Sequence, residues 1–311
     1  AHALGESLAA ILPLSRLHVQ GAESPKCWAA LQELGVLSAC APEAEGGGGL
    51  GAVEEALIAL ELGRCAAAPS VFATMGAAHV VGADAARPSG PGRVAAGYRR
   101  GHRTLMVEDP EATMLLVRDE TETALFEPVP VGHVVDDGLW AVRLSEVSGL
   151  GRPVAMTEEQ GTLRLRLLEA AALAGLACAA QEMAVSYAGE RKQFGRPIGS
   201  FQAVKHHCAN MALAARGAAD LVSFAAVAVE SGRVDATLQV ESALFVAASA
   251  ARDNCGKNIQ VHGAMGFSDE ADPHLLLKRA RIMLAIAGGL EPSLRRIAAC
   301  PPTGLSALAE E

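Results

Sequence analysis

Three interruptions organise the C-terminal half of the chain. From about residue 162 onward the sequence is compatible with helix almost everywhere, and it is broken only at "PIGSFQ" (197–202), "SGRVDA" (231–236) and "HGAMGFSDEADP" (262–273). The spacing predicts helices over about 162–190, 201–230 and 236–261, with a fourth beginning near His274. Long consecutive helices with short connections pack as antiparallel neighbours, so an antiparallel four-helix bundle is expected. Residue type agrees. Ala and Gly are abundant and aromatics make up 4% of the chain, so helices can approach closely. The longest unbroken apolar run, 170–180, reads as buried helix and is shorter than the roughly 20 residues a bilayer span needs.

The first 85 residues also read as helical. "CWAALQELGVL" (27–37) places Trp28, Leu31, Leu34 and Leu37 on one face. "AVEEALIALELGRC" (52–65) repeats the pattern, with Glu54 and Glu55 in its first turn, where the helix dipole favours them. Between them, "APEAEGGGGLG" holds a formal GxGxxG in Gly46, Gly48 and Gly51. A dinucleotide fingerprint needs a preceding strand. Here a helix precedes it, so the loop reads as an interhelical turn. Composition shifts at "ARPSGPG" (86–92). Strand-like segments follow ("TLMVED", "TMLLVRD", "TALFEPVPV", "LWAVRL"), punctuated by Pro, Gly and Asp. The expected fold is α+β, mainly α: an N-terminal helical domain (1–85), a short middle β domain (86–155) and a C-terminal four-helix bundle (156–311).

With 35 acidic and 26 basic residues the net charge is -9, opposite in sign to that expected of a nucleic-acid binder. Seven cysteines are scattered without a CxxC pair. That pattern argues against a disulfide scaffold and a structural zinc site, and for a reducing compartment. No basic-then-apolar leader is seen. A cytoplasmic location without a membrane span is expected.

The segment "ERKQFGRPIGSFQAVKHH" (190–207) concentrates basic groups and glutamines. A guanidinium fork suits phosphate oxygens, glycine permits close backbone approach, and glutamine amides can pair with ribose or adenine edges. Arg191 and Lys192 could equally cap a helix C-terminus, where cations are favoured. The longer stretch "YAGERKQFGRPIGSFQAVKHHCANM" (187–211) resembles the C-terminal domain of the acyl-CoA dehydrogenases. "IQVHGAMGF" (259–267) is similar to that family's Q-x-x-G-G-x-G-F/Y loop, and "LLLKRARIMLAIAGG" (275–289) to its R-D-A-K/R helix and glycine turn. "LQELGVLSACAPEAEGGGGLGAVEEALIALELGR" (31–64) resembles its first domain. The resemblance implies FAD held between subunits, the flavin ring by one middle domain and the ADP end by the neighbour's bundle. It would put Arg191 at the pyrophosphate, with Gln193 and Phe194 beside it. Gln202 and Gln260 would reach the nucleotide, with Gly263 and Ala264 in the closely approached loop.

The departures from the family are as informative. The middle segment is short and lacks counterparts of the T-E-P-x-A-G-S-D and W-x-T-N segments, which hold the flavin ring and the substrate carbonyl. Trp140, the tryptophan of that segment, reads instead as a strand core residue. The family reaction needs a carboxylate at the α-carbon. Where most members carry it, this chain has Ala287. Where others carry it, early in the first bundle helix, it has Leu165. Two other carboxylates are weak candidates, Glu169 one turn beyond Leu165 and Glu291 after the glycine turn. Glu169 reads better as paired with Arg164 or Arg166, or as facing solvent. His206 and His207 are adjacent on a helix and form no i, i+4 metal pair. His262 falls in the nucleotide loop, and His274 at a helix start.

Residues that serve a neighbour's FAD are thus kept, and those that would serve the chain's own flavin and substrate are lost. This resembles the degenerate partner subunits of actinobacterial heteromeric (α2β2) acyl-CoA dehydrogenases. The implied partners are a second acyl-CoA dehydrogenase-like subunit carrying the catalytic Glu, an acyl-CoA substrate such as a steroid side-chain CoA, and an electron-transfer flavoprotein. The resemblance implies one FAD per heterodimer and little activity of this chain alone. Two alternatives are an active homo-oligomer with Glu169 or Glu291 as a displaced base, and a flavin-free scaffold or binding protein.

Overall fold

The computed structural model describes residues 2–19, 23–80, 92–119, 122–127, 132–137 and 142–301. Four helices come first: α1 (His2–Ile11), α2 (Pro25–Glu33), α3 (Ala52–Arg64) and α4 (Pro69–Ala77). Ser24 caps α2 by accepting from the Cys27 amide, and Pro25 opens the helix at a position where its missing N–H costs nothing. Trp28 and Leu31 are buried as expected, but α2 is shorter than its apolar pattern. Gly35 takes a left-handed φ of 77° and ends the helix, leaving Leu34 at the surface and Leu37 buried in a following 3-10 turn. Gly46, Gly48 and Gly51 lie in the loop after that turn, and no strand precedes them among the described residues.

Seven strands follow: β1 (Arg93–Arg100), β2 (Arg103–Val107), β3 (Ala112–Arg118), β4 (Thr123–Phe126), β5 (His133–Asp137), β6 (Arg143–Val147) and β7 (Ala155–Met156). They form one sheet in the order β5-β6-β2-β1-β3-β4-β7. The β1–β3 pair is parallel and the others are antiparallel. The composition change at 86–92 and Trp140 fall almost wholly outside the described residues. The sheet is tied to the helices before it. Thr74 Oγ1 accepts from the Val94 amide, and Arg93 lies 4.4 Å from the Trp28 ring centroid.

The bundle is built from α5 (Glu159–Glu190), a two-residue hairpin of β8 (Lys192–Gln193) with β9 (Arg196–Pro197), α6 (Gln202–Glu230), α7 (Ala236–His262) and α8 (Pro273–Ile286). A short α9 (Glu291–Ala299) closes the described chain. Its core is largely alanine and leucine. Close approach is most pronounced between α3 and α5. A Cβ on Gly175 would stand 2.0 Å from the Leu60 carbonyl oxygen, and one on Gly63 2.2 Å from that of Ala172. By length and composition α6 passes the test for a membrane-crossing helix, which the shorter run at 170–180 did not suggest. Here it packs against α3, α5 and α7 as a bundle helix.

Candidate functional site

Two places in this architecture collect the residues singled out in the sequence. The first is the end of the bundle where α5 and α7 finish and α6 begins. Ala184 and Ala188 of α5, Met211 of α6 and Val261 of α7 form a small buried cluster there, with Tyr187, Ile198, Val204 and Cys208 packed on it. Arg191 ends α5 in an extended conformation, and its carbonyl accepts from the Ile198 amide at 2.7 Å, closing the hairpin. At the hairpin tip Phe194 and Gly195 both take positive φ, 50° and 76°. An exposed aromatic in that conformation is uncommon, and Phe194 is 92% exposed. Its ring meets Phe201 edge-on at 6.2 Å, and Arg196 stacks on the other ring at 4.2 Å.

The Gly263 loop reaches the same end. Tyr187 of α5 and His262 of α7 stack with ring centroids 4.0 Å apart. Burial draws the His262 imidazole below its ordinary pKa, against the hydrogen bond its Nδ1 donates to the Asn258 carbonyl. Gly263 adopts φ 63°, ψ -137°, a region essentially reserved for glycine, with nothing within 4 Å of a built Cβ. Ala264 does not share the positive φ, so its methyl carries no backbone strain. Gln202, Gln260, Gly263 and Ala264 are exposed. Arg191 is exposed too, and its guanidinium pairs with no described residue. The Gln193 side-chain amide donates to the Lys192 carbonyl. The fold thus brings the Arg191 hairpin and the Gln260–Gly263 loop to one surface, with an unpaired guanidinium, free amides, an open glycine and an exposed ring. That donor set fits an anionic group attached to a planar one. The Tyr187–His262 stack that joins the two motifs was not legible in either motif alone.

The second place is buried between α4, the sheet, α5 and α8. Leu165 and Ile286, the latter beside Ala287, both line one cavity of about 30 Å³. Leu165 is one of the two positions at which the family resemblance would place a base and Ile286 precedes the other, Ala287; both positions are buried and apolar. Glu169 lines the same cavity. It is neither solvent-facing nor paired with Arg164 or Arg166. Its carboxylate meets Arg118 of β3, at 2.8 Å to Nε and 3.2 Å to Nη2. Arg118 also donates to Thr123 Oγ1 at 2.6 Å. Arg164 instead pairs with Glu55 and Arg166 with Glu241. Arg118 lies 51 residues from Glu169, on a strand whose register no local pattern reveals. Glu291 opens α9 on the surface, away from the buried cavity.

A helical N-terminal group, a small mixed sheet and an antiparallel helical bundle match the fold of the acyl-CoA dehydrogenases. The acyl-CoA dehydrogenase C-terminal domain model matches residues 151–300 and the N-terminal domain model residues 10–87. The chain is 30% identical to acyl-CoA dehydrogenase FadE27 of Mycobacterium tuberculosis, over 87% of this chain and 86% of that one. It is 34% identical to acyl-CoA dehydrogenase FadE34 of the same organism over 69% of this chain, a match that spans 29% of that relative's length. Among solved structures, the ChsE4-ChsE5 complex from Mycobacterium tuberculosis shares the fold at TM-score 0.75 and 23% identity, covering 100% of this chain and 97% of that one. A variant of the Tcur3481-Tcur3483 steroid ACAD shares it at TM-score 0.74 and 20% identity, covering 99% and 100%. The chain belongs to the acyl-CoA dehydrogenase family, whose members are generally FAD-dependent and oxidise CH–CH bonds.

Proposed function

We propose that this chain is the cofactor-supporting subunit of a heteromeric acyl-CoA dehydrogenase, and that it supplies contacts to the ADP end of FAD bound mainly by its partner. One contrast carries the reading. The bundle-end motif is assembled, exposed and has an unpaired Arg191, whereas both positions for a catalytic carboxylate are buried and apolar. Arg191 would hold the pyrophosphate, with Gln193 and Phe194 beside it. Gln202 and Gln260 would hold the nucleotide, and the open backbone at Gly263 and Ala264 would let it approach. When bound, the flavin supplies the hydride acceptor for α,β-desaturation of an acyl-CoA. The partner, a second acyl-CoA dehydrogenase-like subunit, carries the Glu that takes the α-proton.

Two structural neighbours are described as a complex or as a steroid ACAD, which supports a heteromeric assembly and a bulky substrate such as a steroid side-chain CoA. We further propose a four-chain particle with one FAD per heterodimer, an electron-transfer flavoprotein as acceptor, and a cytoplasmic location. The seven free thiols support that location. The reading of an active homo-oligomer has Glu169 on the cavity in its favour, but Arg118 engages both of its carboxylate oxygens.

Co-expression with candidate partners, followed by native mass and flavin-to-protein ratio, tests the assignment. The expected result is one FAD per heterodimer, with FAD affinity at least tenfold weaker in Arg191→Ala, because loss of a charge-assisted hydrogen bond costs about 1.5–3 kcal/mol. A yellow homo-oligomer with one FAD per subunit would overturn the assignment.

A further inference from the structure

We propose that this chain's own acyl pocket is closed by its side chains, with the Arg118–Glu169 ion pair as the plug, so that the chain receives no acyl group. The proposal deepens the cofactor-supporting role and rests on it for the identity of the pocket. Leu165 marks one of the family's two base positions and Ile286 precedes the other, Ala287; they come from different helices, yet Leu165 and Ile286 line one cavity. That convergence locates where an acyl α-carbon would lie. At about 30 Å³ the cavity has room for a water, whereas ligand pockets span about 300–1,000 Å³.

Closure has two layers. The first is apolar. Leu165 packs so tightly over Gly76 that a Cβ there would stand 2.3 Å from Leu165 Cδ2, and Phe72, Leu116 and Met283 fill the remaining walls. Apolar walls alone could part to admit a ligand. The second layer opposes parting. Arg118 stands on β3 and Glu169 on α5, and their side chains are 5% and 8% exposed. They therefore brace the sheet to the bundle across the cavity. Parting them would leave the buried carboxylate without its cation and the guanidinium with only the Thr123 hydroxyl to satisfy it, which is strongly unfavourable.

The test uses the full chain without partner or flavin, so its outcome is separate from the flavin measurement on the complex. Octanoyl-CoA titrated calorimetrically into the wild-type chain should give no binding heat, and saturating benzene should leave its Tm unchanged. Arg118→Ala with Glu169→Ala removes the brace and leaves a mainly apolar void on the order of 150 Å³, a size known to admit benzene. Benzene should then raise Tm by about 2–4 °C. Arg118→Met with Glu169→Leu refills the space and should fold without responding to benzene. Octanoyl-CoA binding to the wild-type chain that Glu169→Gln abolishes would overturn the proposal, and the wild-type titration reads this whether or not the alanine pair folds. A folded alanine pair indifferent to benzene would overturn it as well.

Discussion

Gly175→Ala tests whether backbone-to-backbone contact between α3 and α5 sets the joint between the N-terminal helices and the bundle. The new methyl carbon would lie 2.0 Å from the Leu60 carbonyl oxygen, 2.7 Å from the Arg64 amide nitrogen and 2.9 Å from the Gly63 carbonyl carbon. None of these atoms can rotate aside, so the two helices must part. Overpacking of this kind costs about 3 kcal/mol at the upper end of its usual range. Alanine recovers about 1 kcal/mol of helix propensity over glycine. The net is a loss of about 2 kcal/mol, or a Tm lower by about 4–8 °C. Gly217→Ala is the matched control. It lies within α6, with nothing inside 4 Å of a built Cβ, so only the propensity gain applies and Tm should rise by about 2–4 °C. Gly63→Ala added to Gly175→Ala should cost less than it does alone, because the helices have already separated. Thermal unfolding of the four variants and the wild type, checked by urea titration, reads all of this. Gly175→Ala and Gly217→Ala moving Tm in the same direction would refute the close-contact argument.

Other outcomes follow from single sites. Gly263→Ala should destabilise by about 1–3 kcal/mol despite the open space around it, because φ 63°, ψ -137° strains an L-residue; chemical denaturation measures the loss. Glu241→Gln should cost about 3–5 kcal/mol, since it breaks a buried pair with Arg166, which also donates to Ser293 Oγ at 3.0 Å. Replacing both partners, Arg166→Met with Glu241→Leu, should be close to neutral in the same assay. Glu55 is buried, and burial pushes its carboxyl upward. Hydrogen bonds and charge from His79 (2.6 Å) and Arg164 (2.8 Å) outweigh that and hold it below its ordinary value of 4.5. A carboxyl depressed in the folded state stabilises above its unfolded pKa, and that contribution is lost as pH falls through the depressed value. The Tm of wild type should therefore drop as pH is lowered below about 4.5, and Glu55→Gln should flatten that limb.

The helices were legible because their signals are local. Interruptions at 197–202, 231–236 and 262–273 place the ends of α5, α6 and α7 within a few residues, and helix ends are set by turn chemistry that neighbours in sequence supply. The bundle-end motifs were legible for the same reason, since each is contiguous. What escaped was long-range. β1 and β5 were not singled out: β1 is buried on both faces over its first six residues and so shows no alternation, and β5 is largely exposed. The partner of Glu169 escaped too. Arg164 and Arg166 stand close by on the same helix, but both are taken, by Glu55 and Glu241 on other elements. The guanidinium that reaches Glu169 arrives from the sheet. This bears directly on function. A carboxylate near a base position looks catalytic in sequence, and what decides its chemistry is whether a buried cation occupies its lone pairs. Here the sequence nominated Glu169, and the sheet, through Arg118, is what argues against its acting as a base.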